Sequence, residues 1–252
     1  MRNTRRKAPR LVSIPVLIAV VLACGTVNAE SPGLLSTFDD TSALARDFSR
    51  IQRQRGDIDV IADPAVTGNG VARLTAGPKR LGRVGKAALI RDFGPVGAGH
   101  VVYMQGNFYF PPDTSLNSII LMDLECASCG PDTNPGIRLY LRDARLRVDR
   151  SKVGIRDAFL QNRDVQLRPG RWYEIRWRVV LGDTDTGRST VWVDGAQVMD
   201  ASGITLLLQE VVDRYTDRSV KEQVDRFQVG LTANSNDTPQ VVLLDNVSLG
   251  VQ

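Results

Sequence analysis

Arginine, tyrosine and amide side chains recur at every second position in several stretches of this chain. Tyr103, Gln105, Asn107 and Tyr109 alternate with Val102, Met104, Phe108 and Phe110. Arg138, Tyr140 and Arg142 alternate with Ile137, Leu139 and Leu141, and Arg145 and Arg147 with Leu146 and Val148. Glu174, Arg176 and Arg178 alternate with Tyr173, Ile175, Trp177 and Val179. A period of two sends neighbouring side chains to opposite faces of a strand, so each stretch predicts one apolar and one polar face. If these strands lie side by side, the polar faces join into one surface of six arginines, three tyrosines and two amides. Arginine grips carboxylate or sulfate through two parallel N–H donors, and tyrosine adds a flat ring with a hydroxyl. Such a surface would recognise an acidic, hydroxyl-rich ligand. An ordinary solvated sheet face carries the same residue types, with arginine stems covering their neighbours. Adjacency of the strands separates the two expectations.

Other chemistry is sparser. His100 is the only histidine and stands in the glycine-rich turn Gly97-Ala98-Gly99, where a base and a solvated loop residue are both consistent readings. Cys126 and Cys129 frame a short loop; a disulfide fits an oxidising compartment, whereas a zinc site would need two further ligands. Asp183-x-Asp185-x-Gly187 begins like a calcium loop but lacks the later acidic ligands, so a hairpin turn is expected. No phosphate loop, dinucleotide fingerprint or nucleophile elbow is present.

The elements that must position these residues are strands. Tyr173–Leu181, Ser189–Val193 and the run after Asp194-Gly195 form consecutive antiparallel strands, with Asp-Gly supplying the tight turn. Leu44, Phe48 and Ile51 have the spacing of one helical face, and Leu208, Val211, Val212, Tyr215 and Val220 predict a short helical insertion near 205–224. Residues 149–167 show no assignable period.

The formal charge of +4 over 252 residues is concentrated at the start. Residues 2–10 hold five basic side chains, residues 11–29 hold no charge, and Val27-Asn28-Ala29 ends the run with a small residue. This is an export signal over 1–29. Without those five, 27 basic side chains face 28 acidic ones, so charge gives no reason to expect nucleic acid as a partner. Val21-Leu22-Ala23-Cys24 also resembles a lipoprotein box, so a membrane is expected only through a lipid anchor at Cys24. The expected location is secreted, periplasmic or cell-surface, with a single domain over 36–250.

Several landmarks occur in order: Arg168-Pro169-Gly170-Arg171-Trp172-Tyr173-Glu174-Ile175, Val191-Trp192-Val193-Asp194-Gly195, Val229-Gly230-Leu231 and Leu244-Asp245-Asn246-Val247. This succession resembles the concanavalin-A-like jelly rolls, which include laminin-G-like domains, legume lectins and bacterial polysaccharide lyases. Phe38-Asp39-Asp40, Asp63-Pro64-Ala65 and Gly68-Asn69-Gly70 are similar to the start of the lyase-like members. The resemblance implies an all-β, two-sheet antiparallel sandwich whose concave sheet holds a glycan. It also implies structural calcium tying the first and last strands, with Asp39 or Asp40 and Asp245 as ligands. In lyases of this fold, Arg, Gln or Asn neutralises the uronate carboxylate, and His or Tyr moves the protons. Those roles would fall to Gln105, Asn107 or Arg138, and to Tyr140, Tyr109 or His100. The family strands of the form Arg-x-Glu-Arg and Gln-Ile-His are absent. The expectation is an extracellular protein that binds an anionic polysaccharide. Its alternatives are a polysaccharide lyase acting by β-elimination and an adhesion module with a protein partner.

Overall fold

A computed structural model describes residues 33–64, 69–129 and 134–252. They form two antiparallel sheets packed face to face. The strands are β1 (Gly33–Ser36), β2 (Arg50–Gln54), β3 (Gly56–Ala62), β4 (Gly70–Ala76), β5 (Gly85–Val96), β6 (Val101–Phe110), β7 (Ile119–Glu125) and β8 (Gly136–Arg142). They continue with β9 (Arg145–Asp149), β10 (Phe159–Leu160), β11 (Arg171–Val180), β12 (Arg188–Val193), β13 (Ala196–Ser202), β14 (Val224–Asn234) and β15 (Gln240–Val251). The first sheet runs β13-β12-β11-β6-β15-β4-β3, with β1 also paired to β15. The second runs β10-β9-β8-β7-β14-β5-β2. Export and anchor signals in residues 1–29 lie outside the described residues. No described helix is long and apolar enough to cross a membrane.

The inner faces come from the alternations in the sequence. Val102, Met104, Phe108 and Phe110 of β6 and Ile175, Trp177 and Val179 of β11 are buried against Met122, Leu139, Val148 and Val229 of the other sheet. Trp177 is 1% exposed, and its indole N–H donates to Ser189 Oγ at 2.9 Å, so its one polar atom is satisfied in the core. Asp194 and Gly195 take φ of 48° and 78°, the turn in which both central residues are left-handed. Gly230 sits in β14 at φ 120°, and a Cβ there would come within 2.3 Å of Leu74 Cδ2 in the core. The β14–β7 ladder shifts register between Val229 and Ala233, next to this glycine.

One helical expectation needs correction, and the short helix expected near 205–224 is present. Ile51 belongs to strand β2, and the helix before it covers only Ala43–Asp47 (α1). The 205–224 segment contains a single turn, Gln209–Val212 (α2), after which Tyr215 is 75% exposed. Beyond Val212 the segment is Asp-Arg-Tyr-Thr-Asp-Arg-Ser, too polar to bury a further helical face.

Candidate functional site

The expected single polar surface is two surfaces. β6 and β11 are neighbours in the first sheet, whereas β8 and β9 belong to the second. Tyr103, Gln105, Asn107, Tyr109, Glu174, Arg176 and Arg178 therefore face out on one side of the sandwich. Arg138, Tyr140, Arg142, Arg145 and Arg147 face out on the other. Alternation assigns a side chain to a face of its own sheet; it carries no information on which sheet the strand joins.

The first sheet's outer face is neutralised within itself. Arg171 pairs with Asp194 at 2.6 Å, Arg176 with Glu174 at 2.9 Å and Arg188 with Asp200 at 2.6 Å. Arg178 donates to the Tyr103 hydroxyl at 3.2 Å, and the Tyr109 ring packs against Trp172 with centroids 5.6 Å apart. The charges of this face are thus largely self-matched, while Asn107 Oδ1 and Arg176 Nε on the same face are buried without a hydrogen-bond partner.

The second sheet's outer face is different. One row crosses five adjacent strands: Arg50, Ile90, Gln228, Asp123 and Arg138, with Asp149 beyond. A second row contains Gln52, Ala88 and Gly230, and resumes past the register shift at Ile120, Tyr140 and Arg147. Short side chains at Ala88 and Gly230 leave this row low between taller neighbours. A depression of about 740 Å³ is lined by Arg50, Gln52, Lys86, Glu125, Lys152 and Gln228, among others. A second, about 310 Å³, lies over Arg138, Tyr140, Arg142 and Asp149.

Arg138 donates through Nε to Asp149 at 2.8 Å and through Nη2 to Ser151 Oγ at 3.1 Å. Asp149 is held below the usual carboxylate range: burial works against this, and the Arg138 charge and hydrogen bonds outweigh it. Glu125, almost fully buried, is met by Lys152, Gln228 and Asn134. Asp123 is 5% exposed and is pushed up to about 6, chiefly by burial and then by the Glu125 charge. Gln52 Oε1, Asp123 Oδ1 and Gln228 Oε1 are buried acceptors without a donor, an uncommon state for buried polar atoms. Among the described residues that line the two depressions, Arg50, Lys86 and Arg142 are the cations without an ion pair. The Tyr140 hydroxyl likewise has no partner among the described residues.

The remaining candidates lie elsewhere. His100 closes its own turn just before β6, with Nδ1 3.1 Å from Gly97 O, and lines neither depression. Tyr109 is on the first sheet, opposite Tyr140. Asp183 accepts from Asp185 N, Thr186 N and Thr186 Oγ1 within its own turn, at 3.0, 2.9 and 2.7 Å. Cys126 and Cys129 are joined as a disulfide. Asp245 accepts from Asn246 N at 2.8 Å, Asn246 Nδ2 at 3.0 Å and Asn69 Nδ2 at 3.3 Å. It shares the outer face with Leu243, opposite Asn107, and just past it Asn246 at φ 49° lies where the register of β15 shifts. Asp39 takes the Thr37 hydroxyl, and Asp40 takes Ser42 and Arg46. Among the described residues no three Asp, Glu, His or Cys side chains converge on a metal position.

Sequence reasoning missed Arg50, Gln52, Lys86, Asp123, Glu125, Lys152 and Gln228. A signal existed for two of them: Asp123 and Glu125 are carboxylates inside the apolar run Ile119–Glu125, where burial demands a reason.

Comparison with known proteins agrees with the fold. The polysaccharide lyase family matches residues 30–248, and the chain belongs to it. The fold is similar to that of an endo-β-1,4-glucuronan lyase from the fungus Trichoderma reesei, at 15% identity and a TM-score of 0.59, covering 81% of this chain and 91% of that one. It is also similar to alginate lyase vAL-1 from Chlorella virus, at 13% identity and a TM-score of 0.55, covering 86% and 99%. Alginate lyase Aly36B gives 11% identity and a TM-score of 0.51, covering 88% and 93%. No curated protein matches by sequence. The protein is thus a jelly-roll member of a carbohydrate-acting family.

Proposed function

We propose that this protein is a polysaccharide lyase that cleaves uronate-containing chains by β-elimination over the outer face of the second sheet. The observation that carries the reading is the pair Arg138 and Tyr140, two residues apart on β8. Elimination requires three acts: neutralising the uronate carboxylate, removing the C5 proton, and protonating the leaving O4. Arg138 is fixed by Asp149 and Ser151, which leaves Nη1 for the carboxylate. Tyr140 has a free hydroxyl beside it and no histidine nearby. It takes the C5 proton as tyrosinate and returns a proton to O4 as tyrosine, so one group serves both transfers. Family membership supports this reading, as do neighbours named as lyases of glucuronan and alginate, both polyuronates. The same face would serve an anionic-polysaccharide-binding protein without catalysis. The missing Arg-x-Glu-Arg and Gln-Ile-His strands favour that second reading. Export through residues 1–29, with or without a lipid at Cys24, would deliver the protein to extracellular polymer.

The test mixes the chain lacking residues 1–29 with polyuronates and follows the near-ultraviolet absorbance of the unsaturated product. Turnover that falls by a factor of about 10² to 10⁴ in Tyr140→Phe, with binding kept, is the expected outcome. Full turnover in that variant would remove Tyr140 from the chemistry. Retention of polymer without turnover by the unaltered protein would leave the binding reading.

A further inference from the structure

The large depression holds charge that the elimination step does not use. Arg50 and Lys86 lie at its β2–β5 end, without ion pairs, while Lys152 and Arg226 in the same depression are engaged by Glu125 and Asp92. They flank the low row from opposite sides. Arg50 pairs with Ile90 in the row above Gln52, and Lys86 pairs with Gln54 in the row below. From Gln52 the row crosses β5, β14 and β7 to reach Tyr140 on β8. Four strand spacings of about 4.8 Å put roughly 19 Å between the two ends. At the start of this path Gln52 Oε1, and beside it in the next row Gln228 Oε1, are buried acceptors lacking a donor, and Gln228 is 5% exposed. Acceptors of that kind are matched by hydroxyl donors.

We propose that Arg50 and Lys86 form a remote clamp for a second uronate carboxylate, several sugar rings from the bond cleaved at Tyr140. Gln52 and Gln228 take sugar hydroxyls along the intervening chain. This proposal rests on the lyase reading of the groove and adds its length requirement. Arginine grips the carboxylate with two N–H donors and lysine supplies a point charge from the facing wall. A trisaccharide held at Tyr140 cannot reach the clamp, whereas a polymer can. The enzyme would therefore attack within long chains and discriminate against short ones through binding.

The experiment compares the unaltered protein with the double variant Arg50→Ala/Lys86→Ala on a uronate trisaccharide and on the parent polymer. Both polymer binding and kcat/KM are read. Arg73→Ala/Arg188→Ala, which removes the same charge from the opposite sheet, is the control. The expected result is a loss of about tenfold or more in polymer affinity and in the ratio of polymer to trisaccharide kcat/KM, the size of one lost charge-assisted contact. The loss appears in KM, and the control variant behaves as the unaltered protein. Equal polymer binding and an unchanged ratio in the double variant would overturn the clamp while leaving the lyase reading intact. Equal losses on trisaccharide and polymer would also overturn it, since the two residues would then act at the reacting sugar or on the fold. Failure of the unaltered protein to bind or cleave any polyuronate would sink the lyase reading, and the clamp with it.

Discussion

The two outer faces of the sandwich use the same side-chain types to opposite effect. On the first sheet, arginines and carboxylates alternate across neighbouring strands and close on one another, as Arg171 does on Asp194 and Arg188 on Asp200. On the second sheet the carboxylates sit low, at Asp123 and Glu125, and three cations around the depressions remain unpaired. A paired arginine on a flat face costs a ligand its existing partner. An unpaired one beside buried acceptors costs a ligand only water. Residue type therefore does not separate a binding face from a solvated one. What distinguishes the second face is that Arg50, Lys86 and Arg142 have no counter-charge among the described residues, although Arg138 is paired there as Arg176 is on the first.

That contrast can be broken most sharply at the paired residues Arg138 and Arg176. Both are outward arginines with a carboxylate partner, Asp149 and Glu174 respectively. Arg138→Ala should cost turnover a factor of about 10² to 10³, as loss of a preorganised group at developing charge does. Arg176→Ala should change kcat/KM by less than about twofold, consistent with a solvated site. Comparable losses in both variants would mean that the first sheet also touches substrate.

A second break concerns the core beneath the groove. Gly230→Ala forces a side chain into a left-handed conformation and drives a Cβ to 2.3 Å from Leu74 Cδ2. Overpacking and backbone strain together should cost about 2–4 kcal/mol of stability, read as a fall in denaturant midpoint. The matching change on the first sheet is Gly33→Ala, in β1 beside β15, where a Cβ would come no closer than 3.9 Å to Leu249 O. It should cost under about 1 kcal/mol.

The strands themselves were legible because their physics is local. Alternation over Arg171–Val180 and the Asp194-Gly195 turn dictate a hairpin whatever the rest of the chain does. The groove was not legible, because it is made by pairings distant in sequence. β2 meets β5, β14 meets β7, and the row from Arg50 to Arg138 collects residues 50, 90, 228, 123 and 138. Arg50 and Gln52 were further hidden by Leu44, Phe48 and Ile51, whose helical spacing is a coincidence of a short helix followed by a short strand. Arg138 and Tyr140 could be found by type and spacing, but Tyr109 and Gln105 looked equivalent until the sheets were assigned.

The buried acid at the groove floor sharpens the comparison through pH. Asp123 faces Glu125 on its own strand, Arg138 on β8, Thr232 and Gln228 on β14, and Lys152 after β9. Its folded value of about 6 lies above the unfolded value of a carboxyl near 4. The native state then holds the proton more tightly, so this group's contribution to stability falls as pH rises from about 4 through 6 and stays low above that. Asp123→Asn should remove that slope and raise the melting temperature at pH 8 relative to pH 5, when each is compared with the unaltered protein. An unchanged pH profile would mean that Lys152 and Arg138 already hold the carboxylate ionised. Asp200 on the first sheet behaves oppositely. Its hydrogen bond to Arg188 keeps it below the usual range, so what it contributes is lost only in acid.

The smallest effect is expected where the first face is most fully paired. Arg188 and Asp200 make a two-pronged contact, and the Arg188 side chain is 51% exposed. Water screens the pair, and ordering two side chains offsets much of the attraction. Arg188→Ala should therefore change stability by no more than about 1 kcal/mol and polymer affinity not at all, with the small stability loss shrinking further at high salt. A measurable loss of polymer binding in this variant alone would show that self-neutralised arginines can still open for a ligand, and the distinction between the two faces would no longer rest on pairing.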